Sequence, residues 1–83
     1  MSSYYLMKNG KVECDLIRSG MDRLPREPQH CWHECNIVTT SRVTAGPADV
    51  FQIVAAGGEG LPYSVSRCQV GVDGWEIEGQ VLF

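Results

Sequence analysis

The sequence predicts a mainly β fold, a small antiparallel sheet or partly open barrel of roughly five to six strands. Three observations carry this. Asn9-Gly10 and Asp73-Gly74 are each flanked by runs that alternate apolar and polar residues. Such dipeptides supply the positive φ that tight hairpin turns require. Third, Ile37-Val38-Thr39-Thr40-Ser41-Arg42-Val43-Thr44 is rich in β-branched residues, which fit a pleated surface.

The first hairpin runs Tyr4–Lys8, turns at Asn9-Gly10 and returns over Lys11–Leu16. A two-residue turn sets Lys8 against Lys11, Met7 against Val12 and Tyr5 against Cys14. Opposed residues share a face, so Tyr5, Met7, Val12, Cys14 and Leu16 are expected on one apolar side. Residues 18–31 contain Gly20, Pro25 and Pro28 and read as loop. Residues 37–44 read as a strand, and Ala45-Gly46-Pro47 as a turn.

Val50–Ala56 supports two readings. As a strand it pairs back on 37–44 with Phe51, Ile53 and Ala55 inward. As a helix over 47–56 it starts at Pro47 and stops at Gly57-Gly58, giving an α+β fold with that helix packed on the sheet. Gly57–Pro62 reads as a loop. It lacks the Lys-Ser/Thr of a phosphate-binding loop. The second hairpin runs Arg67–Val72, turns at Asp73-Gly74 and returns over Trp75–Val81. Its register pairs Val72 with Trp75, Val70 with Ile77 and Cys68 with Gly79. Cys68, Val70, Val72, Trp75, Ile77, Val81 and Phe83 then face the core, and Arg67, Gln69, Glu76, Glu78 and Gln80 face water.

With 83 residues, one domain spanning 1–83 is expected. A chain this short buries roughly 60–65% of its unfolded surface, which leaves little structure to spare for an elaborate catalytic site. A hydrophobic share of 43% excludes a disordered polar segment. The net charge of −3 is uneven. Residues 1–44 balance to +1, whereas 45–83 set Arg67 alone against Asp49, Glu59, Asp73, Glu76 and Glu78. The acidic second half argues against nucleic acid, whose phosphates require a basic face. It suits a partner protein with a basic surface. No apolar run is long enough for a signal peptide or a membrane span, so a cytoplasmic address with reduced cysteines and no membrane partner is expected.

The densest chemistry is His30-Cys31-Trp32-His33-Glu34-Cys35. Thiolate and imidazole are good zinc ligands, and a structural site needs four of them converging at about 2.0–2.3 Å. Cys31 and Cys35 would share a face on a helical turn, with His33 and then His30 as further candidates. In an extended strand, residues two apart lie about 6.5–7 Å apart along the backbone, which hinders convergence. The competing reading makes Cys14 and Cys68 small core hydrophobes, Trp32 a core or interface anchor and the histidines surface residues at a loop edge. A disulfide framework is the third. Cys31 or Cys35 beside His30 or His33 also has the ingredients of a thiolate–imidazolium nucleophile, but the one candidate orienting group, Glu34, is adjacent to His33 and adjacent residues rarely point at each other.

The functional expectation is a small non-catalytic protein-interaction module, an adaptor or inhibitor that covers a partner's surface. Trp32, Glu76 and Glu78 are its candidate contact residues, with no cofactor required. The alternative is a zinc-binding module using Cys31, Cys35, His33 and His30. A homodimer is also expected, because exposed strand edges invite pairing.

Overall fold

A computed structural model describes residues 4–83. Seven strands form one antiparallel sheet: β1 Tyr4–Lys8, β2 Lys11–Arg18, β3 Trp32–Glu34, β4 Ile37–Thr39, β5 Phe51–Ala55, β6 Gly60–Val70 and β7 Trp75–Leu82. Their order is β3-β7-β4-β2-β1-β5-β6, and β6 pairs again with β7. Six strands therefore close a barrel, with β3 as an extra strand on β7. The fold is the mainly β architecture the alternation implies.

The helix considered over 47–56 does not form. Phe51–Ala55 is a strand, but its partners are β1 and β6 rather than residues 37–44. Those two neighbours bury Phe51 and Ile53. A short apolar run takes its state from such partners rather than from its own period. The strand expected over 37–44 is cut to Ile37–Thr39. Beyond it the chain crosses towards β5 and buries Val43 in the core. Residues 18–31 are irregular apart from a 3₁₀ turn at Met21–Arg23.

The first turn matches its expected register, with Lys8 opposite Lys11 and Met7 opposite Val12. One step on, a bulge intervenes: Leu6 meets Cys14 and Tyr5 meets Asp15. The extra residue, Glu13, flips the rest of β2 relative to β1. The expected apolar side is thus split. Leu6, Cys14 and Leu16 are buried, while Val12 is 64% exposed.

The second hairpin departs differently. Val70 lies opposite Trp75 and Cys68 opposite Ile77, so residues 71–74 form the connection. Gly71 N–H donates to the Gly74 carbonyl at 2.7 Å to close it. The register differs by two residues from the expected one. An even slip keeps every side chain on its own face. Ile77 and Val81 are accordingly buried as expected, while Val70 and Val72 protrude at the loop.

Strand β6 turns the barrel's corner. Its first residues, Gly60–Tyr63, pair with β5, and Tyr63–Val70 pair with β7. The run expected to be a loop at 57–62 therefore already includes strand, Pro62 among it. Beyond Tyr63, β5 gives way to the 45–50 segment, and residues 64–70 have a ladder on β7 alone. The core is filled by Leu6, Leu16, Ile37, Phe51, Ile53, Tyr63, Ile77 and Val81.

Candidate functional site

The cluster at 30–35 lies on an extended run along β7. Trp32 opposes Leu82, His33 opposes Val81 and Glu34 opposes Gln80. After Cys35-Asn36 the same register resumes, with Ile37 opposite Ile77. β3 and β4 are thus one line of chain with a local interruption. Extended backbone rises about 3.3 Å per residue, so Cys31 and Cys35 share a face but lie about 13 Å apart along it, and the helical turn that would bring them together is absent.

Cys35 points into the core and is 3% exposed. Its thiol donates to the Ser19 carbonyl at 3.2 Å. Burial pushes the thiol up to about 11. Cys31 is exposed, and its Sγ lies 3.3 Å from His33 Nε2. The Phe83 ring meets the His33 ring edge-on, with centroids 6.2 Å apart. Cys31 itself is held firmly: its N–H donates to the Phe83 carbonyl at 3.1 Å, and its carbonyl accepts from Phe83 N–H at 3.0 Å. His30 is exposed with φ 55, at the corner where the chain enters this run. The structure therefore brings Cys31 and His33 together and sets Cys35 apart. Among the described residues, no three His, Cys, Asp or Glu side chains converge as a metal group.

The interruption at Cys35-Asn36 has a structural cause. Tyr63, buried on β6, donates its hydroxyl to the Cys35 carbonyl at 2.6 Å. Gly79 N–H turns instead to Asn36 Oδ1 at 3.4 Å. A side chain at Gly79 would collide with Tyr63 Oη and the Ser64 carbonyl, so this crossing requires glycine. Burial, with a smaller contribution from Cys35, raises the Tyr63 phenol above its ordinary value.

Trp32 projects from the outer face and is 48% exposed. It borders a hollow of about 420 Å³ between the 45–50 segment and the start of β6, shared with Pro47, Val50, Pro62 and Val65. Glu76 and Glu78 also face outward, on β7. Neither takes part in an ion pair among the described residues, whose pairs are Lys8–Glu13, Lys8–Asp49 and Arg18–Asp73. They share with Arg18, Asp22, Glu34 and Arg67 a broad open groove of about 1120 Å³.

The feature that sequence reading missed is the free edge of β6. Backbone groups alternate between the two sides of a strand. Cys35 N–H donates to the Gly79 carbonyl at 2.9 Å, so Gly79 and its odd-numbered neighbours in β7 face β3 and β4. Gln80, Glu78 and Glu76 then face β6 and meet Ser64, Arg67 and Gln69. Cys68 and Val70 turn their N–H and carbonyl groups to the open side. No residue pattern marks this, since it depends on where β5 stops. Comparison with protein-family models, curated proteins and solved structures finds no match to this chain.

Proposed function

We propose that the chain is a non-catalytic protein-interaction module that receives an extended, basic segment of a partner along the open side of β6. The observation that carries this reading is the ladder over residues 64–70, which is paired on β7 alone. Unpaired edges of this kind accept an added strand, with backbone bonds supplying affinity. Val70 and Val72, 70% and 102% exposed, offer apolar contacts at the end of that edge. Glu76 and Glu78 stand one strand away, without ion-pair partners among the described residues, and favour lysine or arginine in the incoming segment.

The test uses an extended peptide of alternating lysine and valine, with its glutamate counterpart as control. Binding of the lysine peptide should slow hydrogen exchange at the Cys68 and Val70 amides. Replacing Glu76 and Glu78 by Gln should weaken it. Protection elsewhere, equal binding of the glutamate peptide, or no binding would overturn the reading. The second reading, metal binding, is favoured by the approach of Cys31 to His33.

A further inference from the structure

We propose that Cys31 and His33 are half of a zinc site that a second copy of this chain completes across the free edge of β3. This inference is independent of the β6 edge and leaves that edge open.

The first support is local geometry. Zinc–sulfur and zinc–nitrogen bonds of about 2.3 and 2.0–2.1 Å place neighbouring tetrahedral ligands roughly 3.5 Å apart. Sγ of Cys31 and Nε2 of His33 already lie 3.3 Å apart. Both donors are held: Cys31 by its paired backbone bonds to Phe83, His33 by the Phe83 ring. Two donors do not fill a tetrahedral ion, and no further group in the described chain joins them. The site is incomplete within one copy.

The second support is the orientation of the edge. Cys31 exchanges its N–H and carbonyl with Phe83, and Cys35 N–H donates to Gly79. Odd positions of this run thus face β7. By alternation Trp32 and Glu34 turn their backbone groups away from β7. No hydrogen bond from another part of the described chain occupies those groups. A two-fold axis at Trp32 would let the two Trp32 backbones exchange both of their bonds. Cys31 of each copy then falls directly opposite His33 of the other, in the closer type of antiparallel pair, with Cα atoms about 4.5 Å apart. All four donors lie on one face, as two thiolates and two imidazoles. On the other face the half-exposed Trp32 side chains meet, a favourable cross-strand pair.

The experiment titrates the full reduced chain with zinc chloride in a phosphine reductant, following mass by light scattering. Cobalt(II) serves as a spectroscopic probe. The expected result is a twofold rise in mass that saturates at one zinc per two chains. Cobalt should show thiolate charge transfer and tetrahedral absorption. Cys31→Ser and His33→Gln should each abolish both effects. Cys35→Ser should leave them intact wherever its circular dichroism matches the parent. Trp32→Pro removes an outward N–H without touching the β7 ladder, and should keep the fold but lose the dimer. A monomer mass at saturating zinc, one zinc per chain, a dimer that forms equally in a chelator, or zinc binding that survives Cys31→Ser would each overturn the proposal.

Discussion

Replacing Gly79 by alanine tests the crossing of the Tyr63 side chain over β7 at Gly79. The added Cβ would sit inside contact distance of the Ser64 carbonyl and the Tyr63 hydroxyl and ring. Either β6 lifts or Tyr63 is displaced. Displacement breaks a buried 2.6 Å bond to the Cys35 carbonyl, a loss of about 1–3 kcal/mol. Overpacking adds about 1–3 kcal/mol. The lower entropy of unfolded alanine offsets only about 0.4–1 kcal/mol. The expected net loss is about 2–4 kcal/mol, against a total stability of about 4–12 kcal/mol for a chain of this length. Urea denaturation followed by far-UV circular dichroism and by the fluorescence of Trp32 and Trp75 measures it. Tyr63→Phe alone should cost about 1–2 kcal/mol. In the double variant the hydrogen-bond loss is counted once, so the two effects should fall short of additivity by about 1 kcal/mol. A Gly79→Ala chain within about 0.5 kcal/mol of the parent would refute this account of the crossing.

Three further outcomes are expected. Asn9 has φ 53 and ties the first turn to the 45–50 segment, accepting from Val50 N–H at 2.9 Å and donating to Asp49 at 3.0 Å; Asn9→Ala should cost about 1–3 kcal/mol by urea denaturation, and Asn9→Gly, which keeps the positive φ, less. With pH, the raised folded values of Cys35 and Tyr63 favour their neutral forms, so stability is intact below the unfolded thiol value near 9 and declines as pH climbs towards about 11; Asp49, lowered chiefly by the Gly46 N–H, acts in the opposite sense and its contribution fades as pH drops below the ordinary carboxylate range. Denaturation midpoints across pH check both signs. Under native conditions a thiol reagent should modify Cys31 first and Cys68 more slowly, leaving Cys14 and Cys35 protected until urea is added, as mass spectrometry of digests will show.

The β class and the presence of both hairpins were legible because their cues are local: a turn dipeptide between alternating runs marks the two runs as neighbours, though not their full register. The errors have equally specific causes. Nothing in Val12-Glu13-Cys14 announces a bulge, yet the bulge brings Leu6 rather than Tyr5 inward. Asp73-Gly74 looks like a complete turn, but Gly71 can close a wider one. The state of 51–55 was undecidable from the seven-residue run Val50–Ala56 because β1 and β6 decide it from far along the chain. At the cluster, the rise of an extended strand separates Cys31 from Cys35 along one face, and the strand itself had no cue among those six residues. Neither the Tyr63–Gly79 crossing nor the open side of β6 is written in any single segment.

The way β7 is shared has a consequence for how the molecule reaches this shape. β7 finds β6 across a short connection, but it must also collect the 32–39 run, which joins residue 37 to residue 77. The two hairpins can organise early and separately, since each closes a small loop. Sealing the barrel then waits on encounters between distant parts of the chain, whose entropy is spent before the contacts repay it. Folding should therefore be slow for so short a polypeptide. The interval before closure exposes the apolar inner sides of both hairpins, and it is the stage at which crowding by other chains would most divert the protein into aggregates.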